Sequence, residues 1–129
     1  MKTIIMSIKP KYWNSISNGT KTVEFRKQVW AQSDTIPVKV IVYATSPIQK
    51  VVGEFIVTQI LKDSPKRIWE STKNQGVITE KNFFTYFGHN NMAYAIVINK
   101  VKEYTCPKPL LSLKSLGVKA PPQSWQYSK

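Results

Sequence analysis

Apolar positions recur with period two, or as unbroken runs, at residues 3–8, 21–26, 38–44, 50–61 and 92–104, each rich in valine, isoleucine or aromatic side chains. Those runs predict five strands. A helical rhythm fills the gaps. Tyr12, Trp13 and Ile16 fall between Pro10, suited to a first helical turn, and Gly19, suited to a left-handed cap. Ser64-Pro65 opens a second short helix as N-cap and first-turn proline, with Ile68 and Trp69 as its apolar edge. Thr79-Glu80 opens a third, closed by Gly88, and its aromatic set Phe83, Phe84, Tyr86 and Phe87 reads as packing on the sheet. From Pro107 to Lys129, four prolines predict an extended strap with one strand-like or helical turn near 110–116.

This order predicts an α+β fold, a small mixed β-barrel of about five to six strands with short helices at its rim. The strand-helix alternation of a doubly wound parallel sheet is missing. A chain of 129 residues can bury one core and not two, so 1–129 is expected to be a single domain. No run has the length of a membrane span, and the apolar run at 3–8 is too short for a signal-peptide core, so no membrane partner is expected. Cys106 is the sole cysteine, which rules out an internal disulfide and fits a reducing cytoplasm. His89, the only histidine, sits in a turn-like Gly88-His89-Asn90-Asn91 without companion ligands, so neither a metal nor another cofactor is expected.

Charge changes the picture. Nineteen Lys and Arg against seven Asp and Glu give a formal charge of +12, spread from Lys2 to Lys129. Such an excess favours a polyanionic partner, RNA first, with DNA possible. The densest chemistry lies in Asn18-Gly19-Thr20-Lys21-Thr22-Val23-Glu24-Phe25-Arg26-Lys27. On a strand, Glu24 and Arg26 share one face while Val23 and Phe25 take the other. Lys21 breaks the alternation and is expected in the turn before the strand, free to reach over a cleft. A surface Glu24–Arg26 pair beside a solvated Lys21 is the plainer account of the same residues. As a site, Arg26 offers a planar fork, Lys21 a mobile point charge and Glu24 an acceptor for a base amine or ribose hydroxyl. Trp30, in a polar loop with Gln28, Gln32, Ser33 and Asp34, and Tyr43, before the Thr45-Ser46-Pro47 turn, both offer a ring for stacking on a base; Trp30 is the better candidate, and the core is the expected place of Tyr43. The run Gln123-Ser124-Trp125-Gln126-Tyr127 either borders the pocket or lays Trp125 over an open barrel end.

Gly19, Lys21, Glu24 and Arg26 match the G-x-K-x-x-E-x-R signature of the ASCH domains, a branch of the PUA-like β-barrels that this chain resembles along nearly its whole length. The likeness runs from Ile4-Ile5-Met6-Ser7-Ile8-Lys9-Pro10 through Val42-Tyr43-Ala44-Thr45-Ser46-Pro47 and Val51-Val52-Gly53-Glu54-Phe55 to Gly117-Val118-Lys119-Ala120-Pro121-Pro122-Gln123-Ser124. The resemblance implies a compact ASCH domain that holds RNA or a modified nucleoside near Gly19, Lys21, Glu24 and Arg26; Trp30 and Ser46 are expected as further binding residues, and the domain is expected to be a monomer. One branch of ASCH-like proteins hydrolyses acetylated cytidine with a lysine, a threonine three residues later and a separate glutamate. Lys21 matches the lysine, but Glu24 holds the threonine position, and Thr72-Lys73-Asn74-Gln75-Gly76 offers no carboxylate where the glutamate is sought. These departures argue against that hydrolysis, and a lysine beside a carboxylate is held protonated unless strongly desolvated. The alternative reading is an amidohydrolase or ribonuclease with Lys21 and Glu24 as catalytic residues. A third is a transcription-associated interaction module working through protein surfaces.

Overall fold

The computed structural model describes residues 1–31 and 36–129. Its strands are β1 (Lys2–Ile8), β2 (Val23–Arg26), β3 (Val38–Ala44), β4 (Lys50–Asp63), β5 (Ala93–Lys108) and β6 (Trp125–Tyr127). The helices are α1 (Pro10–Ser17), α2 (Pro65–Ser71) and α3 (Glu80–Phe87), with a 3-10 helix at Leu110–Leu116. All six strands join one sheet in the order β2-β5-β4-β3-β1-β6, curled into a half-barrel. β1 and β3 are parallel, and the other neighbours are antiparallel. The predicted mixed α+β barrel is therefore present, with its short helices.

Three buried clusters account for the apolar runs. Along β1, Ile4, Met6 and Ile8 point into the main core with Trp13 and Ile16 of α1, while Ile5 points to the opposite face. β3 divides the same way: Val38, Val40, Val42 and Ala44 enter the main core, and Ile41 and Tyr43 join Ile5 beneath Leu113 of the 3-10 helix. Burial on both faces explains why these strands read as continuous apolar runs instead of a clean alternation. The third cluster packs Val23 and Phe25 of β2 against Ile68 of α2 and Phe83 and Phe87 of α3.

The helix ends follow their predicted caps. Ser64 Oγ accepts from the Arg67 backbone N–H at 3.4 Å, and Thr79 Oγ1 accepts from that of Asn82 at 3.1 Å. At the end of α1, Gly19 takes φ +88° and donates its N–H to the Ile16 carbonyl at 3.2 Å. Among the described residues no helix is long and apolar enough to cross a membrane.

Candidate functional site

The turn after α1 decides where Lys21 goes. Asn18 Oδ1 accepts from the Thr20 N–H at 2.9 Å and the Thr20 hydroxyl at 2.7 Å, and the Lys21 N–H donates to the Ser15 carbonyl at 2.9 Å. The chain then meets a distant loop: Thr22 donates its N–H to the Gln75 carbonyl at 2.8 Å. Lys21 is thus placed before the regular strand, as expected, yet it is not free. Only 3% exposed, its ammonium donates to the Gly76 carbonyl at 2.7 Å and lies 3.3 Å from Glu24 Oε1. A buried lysine needs acceptors, and here a main-chain carbonyl from 55 residues away supplies one. No local pattern announces such a partner.

Glu24 and Arg26 project together from β2, as the strand period requires, while Val23 and Phe25 enter the third cluster. Glu24 Oε2 accepts from Arg26 Nε at 3.0 Å and lies 2.8 Å from Nη2. Nη2 also donates to the Ser7 carbonyl at 2.8 Å, and Nη1 donates to Ser124 Oγ at 2.9 Å. The planar fork expected to grip a ligand is thus turned mainly on the protein itself, where it holds Glu24 in place and ties β2 to β1 and the C-terminal strap. Burial drives the Lys21 pKa below that of an ordinary lysine; the charge and hydrogen bond of Glu24 oppose the fall, and the Arg26 charge adds to it.

These three side chains line a cavity of about 520 Å3. That volume lies within the roughly 300–1,000 Å3 typical of small-molecule sites. Ser7 and Lys9 border it near β1, Lys11 and Tyr12 from α1, Gly76 and Ile78 from the loop before α3, and Asn82, Thr85 and Tyr86 from α3 itself. Gly76 has to be glycine for reasons of space, because a Cβ there would collide with the Phe25 ring. In the same loop Asn74 and Val77 carry φ of 68° and 53°, a costly conformation for the β-branched Val77.

Several expectations change. Trp30, read as the stacking residue, is 2% exposed and belongs to the main core, edge-on to Trp125 with ring centroids 5.8 Å apart. Its loop neighbours Gln32, Ser33 and Asp34 lie outside the described residues. Ser46 is exposed in the turn after β3, and its neighbour Thr45 is the residue that lines the cavity. Gly19 is exposed and off the cavity lining, where it ends α1 and aims the following turn. Tyr43 is buried under the 3-10 helix, in the core as expected. Gln123 borders the cavity, and Trp125 packs on the main core. Tyr86, read as packing, lines the cavity, and burial raises the pKa of its phenol. Helical spacing held the signal for it: Phe83 and Phe87, four apart, are buried, while Asn82, Thr85 and Tyr86 form the adjacent cavity-facing stripe.

Comparisons with known proteins agree with this architecture. A family model described as "Domain of unknown function (DUF365)" matches residues 1–117. The crystal structure of ASCH from Zymomonas mobilis superposes with a TM-score of 0.88 at 25% identity, covering 99% of this chain and 88% of that one. A protein from the same species named as an ASCH domain-containing ribonuclease is 26% identical over 124 residues, 95% of this chain and 82% of its own length. Two Ureaplasma parvum proteins align over 99% of this chain: ATP synthase subunit alpha at 34% identity and the large ribosomal subunit protein uL22 at 32%. This chain spans only 15% and 40% of their respective lengths. With the model match and the superposition in agreement, the chain belongs to the DUF365 family and is an ASCH domain of the PUA-like class.

Proposed function

We propose that this ASCH domain binds RNA, or a modified nucleoside within it, in the cavity above Lys21, Glu24 and Arg26. The observation that carries the reading is a carboxylate fixed between two cations on the floor of a cavity of about 520 Å3. Glu24 is the acceptor for an exocyclic amine or a ribose hydroxyl, and it repels bare phosphate from the floor. Lys21 has three N–H donors, so its two described partners leave one for a ligand. The stacking role assigned to Trp30 passes to Tyr12 and Tyr86. Stacking on a base is worth about 1–3 kcal/mol, more than the roughly 0.5–1 kcal/mol of an exposed cation–π contact, so a base displaces a lysine resting on either ring. The charge of +12 and the ribonuclease relative favour RNA. DNA competes through the same charge, and the cavity is built within one chain, so a monomer suffices.

The test is RNA affinity across a salt series. Affinity should fall about tenfold or more between roughly 50 and 200 mM salt if several phosphates are neutralised. Glu24→Gln should weaken binding by about 0.5–3 kcal/mol, the worth of one hydrogen bond with or without charge assistance. Salt-insensitive binding, or no retention of RNA at low salt, sinks the reading.

A hydrolytic reading rests on its own observation: Lys21, with its pKa lowered by burial, lies 3.3 Å from Glu24 in a chain related to a ribonuclease. If Glu24 is a general base, Glu24→Gln should leave affinity intact and cut turnover of single-stranded RNA or acetylated cytidine by about 10²–10⁴. Tight binding without turnover by the wild-type protein removes this second reading.

A further inference from the structure

A lone nucleoside makes no use of one feature of the cavity mouth. Lys11 Nζ lies 4.9 Å from the centroid of the Tyr12 ring, and Lys27 Nζ lies 4.9 Å from that of Tyr86. Tyr12 and Tyr86 both line the cavity, while Lys11 and Lys27 are exposed. The two rings reach the lining from different elements, Tyr12 from α1 and Tyr86 from α3. Lys21 Nζ is 5.0 Å from the Tyr12 centroid, so that ring stands beside the ammonium; Tyr86 is near enough to Arg26 and Glu24 for their charges to act on its phenol. A mobile cation paired with a cavity-lining ring thus occurs twice, once on α1 and once where α3 meets the end of β2.

Building on the RNA reading above, we propose that the cavity takes an internal nucleotide of a single strand, with Lys11 and Lys27 holding the phosphates on its two sides. A nucleoside carries no flanking phosphate and a terminal nucleotide carries one neighbour only. Two cations on separate elements at the mouth fit a chain that continues in both directions. A duplex is a poor ligand, because a base must leave its partner before it can reach the floor. Ring and cation act in sequence. When a base stacks on the tyrosine, the displaced ammonium swings on its flexible stem to the adjoining phosphate, so its attraction to the ring gives way to a stronger one along the backbone.

The experiment is competition for a labelled linear RNA by three unlabelled ligands: a linear RNA of the same sequence, its circularised form and a nucleoside monophosphate. Wild type, the Lys11→Ala/Lys27→Ala double variant and Glu24→Gln are compared, each checked for native circular dichroism. The circle should compete within about threefold of the linear strand, and the monophosphate at least about tenfold less well. The double variant should lower the slope of log affinity against log salt by about 2, one for each phosphate that no longer meets a lysine. A circle that fails to compete, a monophosphate as strong as the strand, or a double variant with wild-type affinity and slope overturns the inference. Glu24→Gln separates this failure from that of the underlying reading. If it weakens both strand and monophosphate while the lysines are silent, only the internal-nucleotide inference falls; if RNA binding ignores Glu24→Gln and the monophosphate does not compete, RNA is held elsewhere and both fall.

Discussion

Glu24 and Glu54 are built from similar parts in different surroundings. Glu24 lies 3.3 Å from Lys21 and 2.8 Å from Arg26, and Glu54 lies 3.4 Å from Lys39 and accepts from the Tyr104 hydroxyl at 2.9 Å. Both carboxylates project from strands, and each is flanked by a cation and a second donor. The Lys21 and Glu24 side chains are only 3% and 9% exposed, whereas those of Lys39 and Glu54 are 37% and 18% exposed. Near Glu54 the carboxylate pushes the Tyr104 phenol up, adding to burial, the larger cause; around Glu24 burial pulls the Lys21 ammonium down. An ion pair spanning a diagonal of β3 and β4 serves as a surface staple. The same chemistry, desolvated and faced by a cavity, holds a charge that cannot relax into water and must answer to whatever enters.

Removing each carboxylate should separate the two networks most sharply. Glu24→Ala leaves buried Lys21 and half-buried Arg26 facing one another and should cost about 3–5 kcal/mol in urea denaturation, as for a buried pair that loses one partner. A loss below about 1 kcal/mol would show that water already screens the floor. Gly76→Ala should come next. Its Cβ drives into the Phe25 ring and shifts the carbonyl that receives Lys21, for an expected loss of about 1–3 kcal/mol by overpacking. RNA affinity should fall along with stability, and unchanged affinity would detach the 74–77 loop from the site.

Glu54→Ala should cost about 1 kcal/mol or less and leave RNA binding untouched, because the pair it breaks is solvated. A ligand effect equal to that of Glu24→Ala would erase the distinction between site and staple. The smallest expected effect is a slope. Because the folded pKa of Lys21 is lowered from 10.5, the unfolded chain binds more protons than the folded one between the two values. The penalty for keeping Lys21 charged is therefore full below its folded pKa and falls away as pH rises toward 10.5. Wild type should gain stability relative to Lys21→Met across that alkaline window, measured by urea denaturation in pH steps; parallel curves would place the ammonium in effective contact with water.

What the sequence disclosed follows the range of the forces involved. Strands at 3–8 and 38–44 were legible because burial on both faces leaves long β-branched runs, and the caps at Ser64 and Thr79 were legible because their hydrogen bonds close within three residues. The strand period also placed Glu24 and Arg26 on one face. β6 escaped notice because three residues pairing with β1 leave no period to read. The polar ends of β4 and β5 form through mutual pairing, as at Asp63 with Ala93, and not through local preference. The burial of Lys21 is not legible locally because its acceptor lies on a loop far along the chain. The polar loop that carries Trp30 gives no hint of the Trp125 ring against which it packs.

The Arg26 guanidinium has a consequence for the order of assembly. It joins residues 19 positions back and 98 positions ahead, bonding to Ser7 of β1 and Ser124 of the strap while gripping Glu24 in its own strand. Contacts of such span form late, since the entropy of closing a long loop is lost before the bond is gained. As the chain emerges during synthesis, α1 and the first strands can order early, yet Glu24 has only part of its clasp until Ser124 arrives. A nascent domain therefore carries most of its positive charge before the floor of its cavity is finished.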